Sequence, residues 1–327
     1  MKLLGFDIGG TKCAVILGAA ADGNLTIEER VAFPTPAGPS AATEEMFSRA
    51  EALLSKHSLA AGDVAGIGIS CGGPLDSRRG VVLSPPNLPG WDEVPIVAMT
   101  EKRFGRPAAV QNDANACALA EWKFGAGRGS SNMVFFTFGT GMGAGLILDG
   151  RLYSGTCDLA GEVGHMRLSD FGPAGFGKAG SFEGWCSGGG IAQVGRTMAR
   201  QRIQTGEKTG YCSSLDELPA VTAKSIADAA HAGDATAAEV YRLCSEYLGR
   251  GLSVIIDVIN PEVIVLGSIY GRSRDLIEPY MMETIARESI GFSAAACRIV
   301  PAGLGERIGD MAALVLAEAA SEKNFNL

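Results

Sequence analysis

Two short stretches limit most strongly what this chain can become. FDIGGTKCAVIL at 6–17 and FGTGMGAGLIL at 138–148 each set a glycine-rich turn between apolar runs, about 130 residues apart. The first reads as a strand at 3–7, a tight turn at 8–12 and a strand at 13–17. The second reads as a strand at 133–138, a turn at 139–145 and the apolar continuation LILDG. Glycines in such turns let successive N–H groups converge on phosphate oxygens. The faint repeat predicts a duplicated architecture with one phosphate-gripping turn per half.

Around these turns the apolar spacing alternates between strand and helix. A helical period covers 43–56, an apolar strand covers 64–70, and a further helix is expected over 114–124. In 236–259 the apolar residues fall on one broad face. Pro261 ends that helix before a strand at 263–268. Helices at 275–289 and 307–322 close the chain. This alternation is the mark of the α/β class, and 327 residues suffice for two domains.

Composition excludes several roles. The formal net charge is −8, which speaks against a nucleic-acid or anionic-membrane surface but allows a small phosphorylated ligand held by backbone N–H groups. The 8 cysteines are scattered without a CxxC pair, as in free thiols of a reducing compartment. The start meets Asp7 too early for a secretory leader. The apolar run at 251–267 is broken by Asp257 and Pro261, so no membrane span is expected. The reading is a cytoplasmic protein.

Several residues can carry chemistry. Asp7 at a strand end can hold Mg²⁺ directly or through water, while Gly9, Gly10, Thr11 and Lys12 offer donors to phosphate. A plain hairpin accounts for DIGGTK equally well. GTGMGAG ends neither as a P-loop nor as a dinucleotide fingerprint. Asn112-Asp113 before a helix reads as an N-cap or as a general base beside an attacking hydroxyl. Glu162, His165 and Glu183 bracket GEVGHMRLSDFGPAGFGKAGSFE, a glycine-rich run without a period. They can hold sugar hydroxyls, or be ordinary surface groups.

Taken together, eight ordered motifs resemble the ROK family (repressors, open reading frames and sugar kinases) of the actin-like ATPase superfamily. They are FDIGGTK at 6–12, GISCGGPLD at 68–76, PNLPGW at 86–91, QNDANACALAE at 111–121, GTGMGAGLILDGRLYSG at 139–155, AGEVGHM at 160–166, GKAGSFE at 177–183 and NPEVIVLGS at 260–268. The resemblance implies two actin-like α/β domains, at 1–111 and 112–304, with an ATP and sugar cleft between them. A C-terminal helix at about 305–327 would pack back on the first domain.

It also implies that ATP and Mg²⁺ meet Asp7, Gly9, Gly10, Thr11, Lys12, Gly139, Thr140 and Gly141, with adenosine near Gly267. The sugar would meet Gly73, Asn87, Asn112, Asp113, Glu162, His165 and Glu183, with Asp113 the base for a hydroxyl, the exocyclic 6-OH of a hexose. Glucose leads, ahead of N-acetylmannosamine, N-acetylglucosamine, allose and fructose. Members are commonly homodimers or homotetramers.

Most members carry CxCGxxGCxE after the GH, and its three cysteines join the His around a structural zinc. Here those positions are Ala174, Phe176 and Ser181, so no zinc is expected. Phe176 and Phe182 would form an apolar plug instead. Two rivals are a sugar-responsive repressor, disfavoured by the acidic charge, and a sugar-binding module without catalysis.

Overall fold

The computed structural model describes residues 1–322. Its chain forms two compact units. Residues Met1–Ser131, Gly145–Ala160 and the segment from Gly303 onward make the first, and Asn132–Ala144 with Gly161–Ala302 the second.

The first unit begins with an antiparallel meander, β1 (Lys2–Ile8), β2 (Lys12–Ala21) and β3 (Asn24–Pro34), followed by α1 (Pro39–Lys56). Next come β4 (Val64–Cys71), the short pair β5 (Leu75–Asp76) and β6 (Val81–Val82), α2 (Ile96–Phe104), β7 (Ala108–Asn112) and α3 (Asp113–Phe124). The sheet order is β3–β2–β1–β4–β7. Phe6 faces Val15 across the antiparallel ladder and Ile69 across the parallel one. On one face Phe6, Phe47 and Phe104 pack as a tilted and edge-on trio with centroids 5.5–6.2 Å apart. Asn112, not Asp113, caps α3: its side chain accepts from the Ala114 amide at 2.9 Å, and Asp113 is the first helical residue.

In the second unit β8 (Met133–Phe138) leads into the second glycine turn. That turn is shorter than expected, because β9 (Met142–Leu148) starts at Met142. β9 runs on into the Gly145–Ala160 segment counted with the first unit, where it and β10 (Arg151–Tyr153) form a hairpin through Asp149-Gly150, both at positive φ, the pairing that twisted two-residue loops favour. A small hairpin follows, β11 (Ala174–Gly175) and β12 (Lys178–Ala179), then α4 (Phe182–Cys186), α5 (Gly188–Gln204), α6 (Ala223–His231) and α7 (Ala235–Ile259). α7 is capped by Asp234 and stops at Asn260, which turns left-handed at φ 52 ahead of Pro261. β13 (Val263–Leu266) lies parallel between β8 and β14 (Arg298–Pro301), with α8 (Ile269–Arg272), α9 (Arg274–Glu288) and α10 (Gly291–Ala296) connecting them. β13 ends at Leu266, two residues earlier than expected; Ser268 departs from the strand at φ 24.

α11 (Ile308–Ser321) belongs to the first unit and covers the sheet face opposite α1 and α2. Its backbone lies directly on β4. A Cβ on Gly68 would stand 2.0 Å from the Ala313 carbonyl oxygen, and one on Gly66 2.3 Å from that of Ala317. Only glycine permits that approach. The expected end of this helix beyond Glu322 lies outside the described residues.

Candidate active site

In the first unit the β1–β2 turn is fixed by its own backbone. The Gly9 amide donates to the Lys12 carbonyl at 3.2 Å, and the Thr35 hydroxyl donates to the Gly9 carbonyl at 2.5 Å. Gly10, Thr11 and Lys12 are exposed. Gly10 must be glycine, since a Cβ there would meet the Asn87 carbonyl oxygen at 2.5 Å. Asn87 in turn stands near Gly72, and the Asn112 amide lies 2.9 Å from where a Gly73 Cβ would be. The β1–β2 turn, the 72–87 loop and the start of α3 with Asp113 therefore gather at one end of the sheet.

Asp7 sits beneath this surface with its pKa pushed up to about 6 by burial, and further by the charges of Asp310 and Asp113; Arg30 and Lys12 only partly oppose them. Asp310, in the first turn of α11, accepts from Arg30 Nε at 2.7 Å. A half-buried carboxylate among like charges is suited to a hard divalent cation. Asp310 and Arg30 carry no motif signal, because their meeting with Asp7 depends on where α11 docks.

In the second unit the Gly139–Thr140–Gly141 turn is fastened on two sides. Gly188 and Gly189, the first residues of α5, donate to the Gly139 and Thr140 carbonyls at 2.7 and 3.1 Å. Glu183 Oε2 accepts from the Met142 amide at 3.0 Å and lies 2.9 Å from where a Gly141 Cβ would be. Gly164 brings the Glu162–His165 turn onto the same residue: a Cβ there would stand 3.2 Å from Glu183 Cβ. Glu162 and His165 are exposed and Glu183 is half-buried.

A cleft of about 890 Å³ opens beside Gly139, Thr140, Gly188 and Gly189, within the range of nucleotide-sized pockets. Gly267 does not line it; its amide is bound to the Phe136 carbonyl, and the next residue, Ser268, forms the wall. Lys224, Asp228, His231 and Arg196 also line the cleft, and none of them was singled out from the sequence. Arg196 holds the wall in place by donating to the Leu218 and Val221 carbonyls at 3.0 and 2.9 Å.

The positions of the family's zinc cysteines do not make a thiolate site. Ser181, fully buried, caps α4 and accepts from both the Gly175 and Gly184 amides. Phe176 projects into solvent at 69% exposure. Phe182 is buried against Phe136 and the Gly251 backbone, so the two phenylalanines do not form a common plug. Among the described residues no group of three or more His, Cys, Asp or Glu side chains is gathered as a metal site. Hydrogen bonds close the loop instead. Arg167 donates to the Ala179 carbonyl, Lys178 to that of His165, Phe182 N to that of Met166 and Trp185 Nε1 to Ser169 Oγ.

The model of the ROK family matches residues 3–320. The chain belongs to the ROK family. Among its ROK relatives, the glucokinase of Streptomyces coelicolor is 31% identical over 318 residues, 96% of each chain. The N-acetylmannosamine kinase of Salmonella arizonae is 31% identical over 305 residues, 91% of this chain and 94% of that one. The solved ROK glucokinase of Streptomyces griseus, in complex with glucose and AMPPNP, superposes with a TM-score of 0.77 at 28% identity, covering 97% of this chain and 99% of that one.

Proposed function

We propose that this ROK protein is an ATP-dependent sugar kinase that transfers the γ-phosphate of ATP to the 6-hydroxyl of glucose. The observation that carries the reading is an adjacency repeated in each unit. Gly10 of one phosphate turn packs under Asn87, and Met142 beside the other is bound by Glu183. A sugar kinase needs this juxtaposition, because the group that holds phosphate must border the group that holds the accepting hydroxyl.

On this reading Gly9, Gly10, Thr11, Lys12, Gly139, Thr140 and Gly141 hold phosphates, and Asp7 holds Mg²⁺, which supplies charge neutralisation on the transferring group. Gly73, Asn87, Asn112, Glu162, His165 and Glu183 bind the sugar. Asp113 accepts the proton of the attacking hydroxyl and orients it. The nucleoside occupies the cleft lined by Ser268, Thr222 and Lys224. No structural zinc is required, because Ser181 and its neighbours close the loop. The eight cysteines, all unbridged, support a cytoplasmic setting, and the family resemblance supports a homodimer or homotetramer. Among the described residues no helix is long and apolar enough to cross a membrane.

The Salmonella relative supports N-acetylmannosamine as the alternative acceptor. A coupled assay of ADP release over a hexose panel tests the reading. Glucose with the highest kcat/KM supports it, N-acetylmannosamine in that place supports the alternative, and binding of a hexose without phosphate transfer contradicts the kinase.

A further inference from the structure

The β11–β12 hairpin turns through Phe176 and Gly177, both at positive φ, 46° and 75°. Two-residue loops of this kind favour Asn-Gly, and a phenylalanine is out of place there both sterically and by its 69% exposure. Its ring stands edge-on to the His165 imidazole, centroids 5.3 Å apart at 86°. From the same hairpin Lys178 Nζ donates to the His165 carbonyl at 2.5 Å. The hairpin is itself anchored to α4, through Ser181 Oγ on the Gly175 amide and through Gly175 packed on Glu183.

We infer that Phe176 is a positioning residue for His165, fixing the plane of the imidazole with which His165 meets the sugar. This rests on the sugar-binding reading of His165 above. An exposed His on a short turn is free to rotate about its side-chain bonds. The edge of the Phe176 ring restricts that rotation before the sugar arrives, the Lys178 bond steadies the backbone that carries it, and preorganisation lowers the entropic cost of binding. The strained turn is kept because the ring it carries acts on a neighbour.

The test is calorimetric titration of the full chain with D-glucose and with N-acetylmannosamine, using Phe176→Asn, Phe176→Tyr and His165→Ala. Phe176→Asn suits the turn, so its melting temperature should equal or exceed that of the wild type, while its sugar Kd rises by up to about tenfold, the scale of ordering one side chain on binding. Phe176→Tyr should restore the wild-type Kd. Wild-type affinity in Phe176→Asn together with weakened binding in His165→Ala overturns the inference and leaves the sugar reading standing. Wild-type affinity in His165→Ala removes the sugar reading of that residue and the inference with it. A wild-type chain that binds neither sugar contradicts the function proposed above.

Discussion

Glu183 Oε2 accepts a hydrogen bond from the Met142 amide at 3.0 Å, so a candidate sugar ligand also holds the exit of the second glycine turn, proposed above to grip phosphate. Glu183→Ala should therefore raise KM for both ATP and sugar, each by about tenfold. Glu183→Gln keeps an acceptor for Met142 and should raise mainly the KM for sugar. Steady-state kinetics with each substrate varied separates the two, and an unchanged KM for ATP in Glu183→Ala would show that the bond does not support the turn.

Asp7 is held in a setting that opposes its charge. Its folded pKa, about 6 against an ordinary 3.8, means that folding favours the protonated form. The penalty is absent at low pH, grows as pH rises through 3.8 and is complete above about 6. Asp7→Asn should thus be more stable than wild type at pH 7.5, by about 1–3 kcal/mol, and nearly inactive. At pH 3.5 the stability gain should vanish. Denaturant melts at the two pH values check this, and a variant less stable at pH 7.5 would refute it.

Gly68 lies under α11 with no room for a side chain, a Cβ there reaching 2.0 Å from the Ala313 carbonyl oxygen. Gly68→Ala should cost about 3 kcal/mol or more, the upper range for overpacking against backbone. Gly62→Ala, with nothing within 4 Å, should stay within about 0.5 kcal/mol. Equal melting points for the two variants would contradict the packing described.

The strand–turn–strand units were legible because an apolar run, a glycine pair and a second apolar run leave few alternatives. The long helix ending at Asn260-Pro261 was legible for the same reason. Long-range proximity was not. Asp310 and Arg30 act near Asp7 only because α11 returns to the sheet, and Lys224, Asp228 and His231 line the cleft from one helix, α6, that carries no motif. The loop at 161–183 was half legible: its missing cysteines could be read, but not that Ser181 would bind two amides. Nor could it be read that Phe176 would face solvent while Phe182 went inside, since both are aromatic residues in a glycine-rich run.

Ser181 Oγ accepts from both the Gly175 and Gly184 amides and so joins the hairpin to α4. Ser181→Ala leaves the Gly175 and Gly184 amides without their buried acceptor and removes a helix cap, a loss of about 1–3 kcal/mol. Purified protein should hold no stoichiometric zinc, and a chelator should leave its melting temperature unchanged. Zinc near one equivalent by elemental analysis would contradict this.

Asp113, at the first position of α3, is the base proposed above for the attacking hydroxyl. Because Asn112 provides the helix cap, Asp113→Ala should fold and melt close to wild type. The most direct measurement is kcat of Asp113→Ala for glucose-dependent ADP release, with sugar binding followed in parallel by calorimetry. The expected result is a fall of about 10³-fold or more in kcat with binding retained. A kcat near that of the wild type would contradict it.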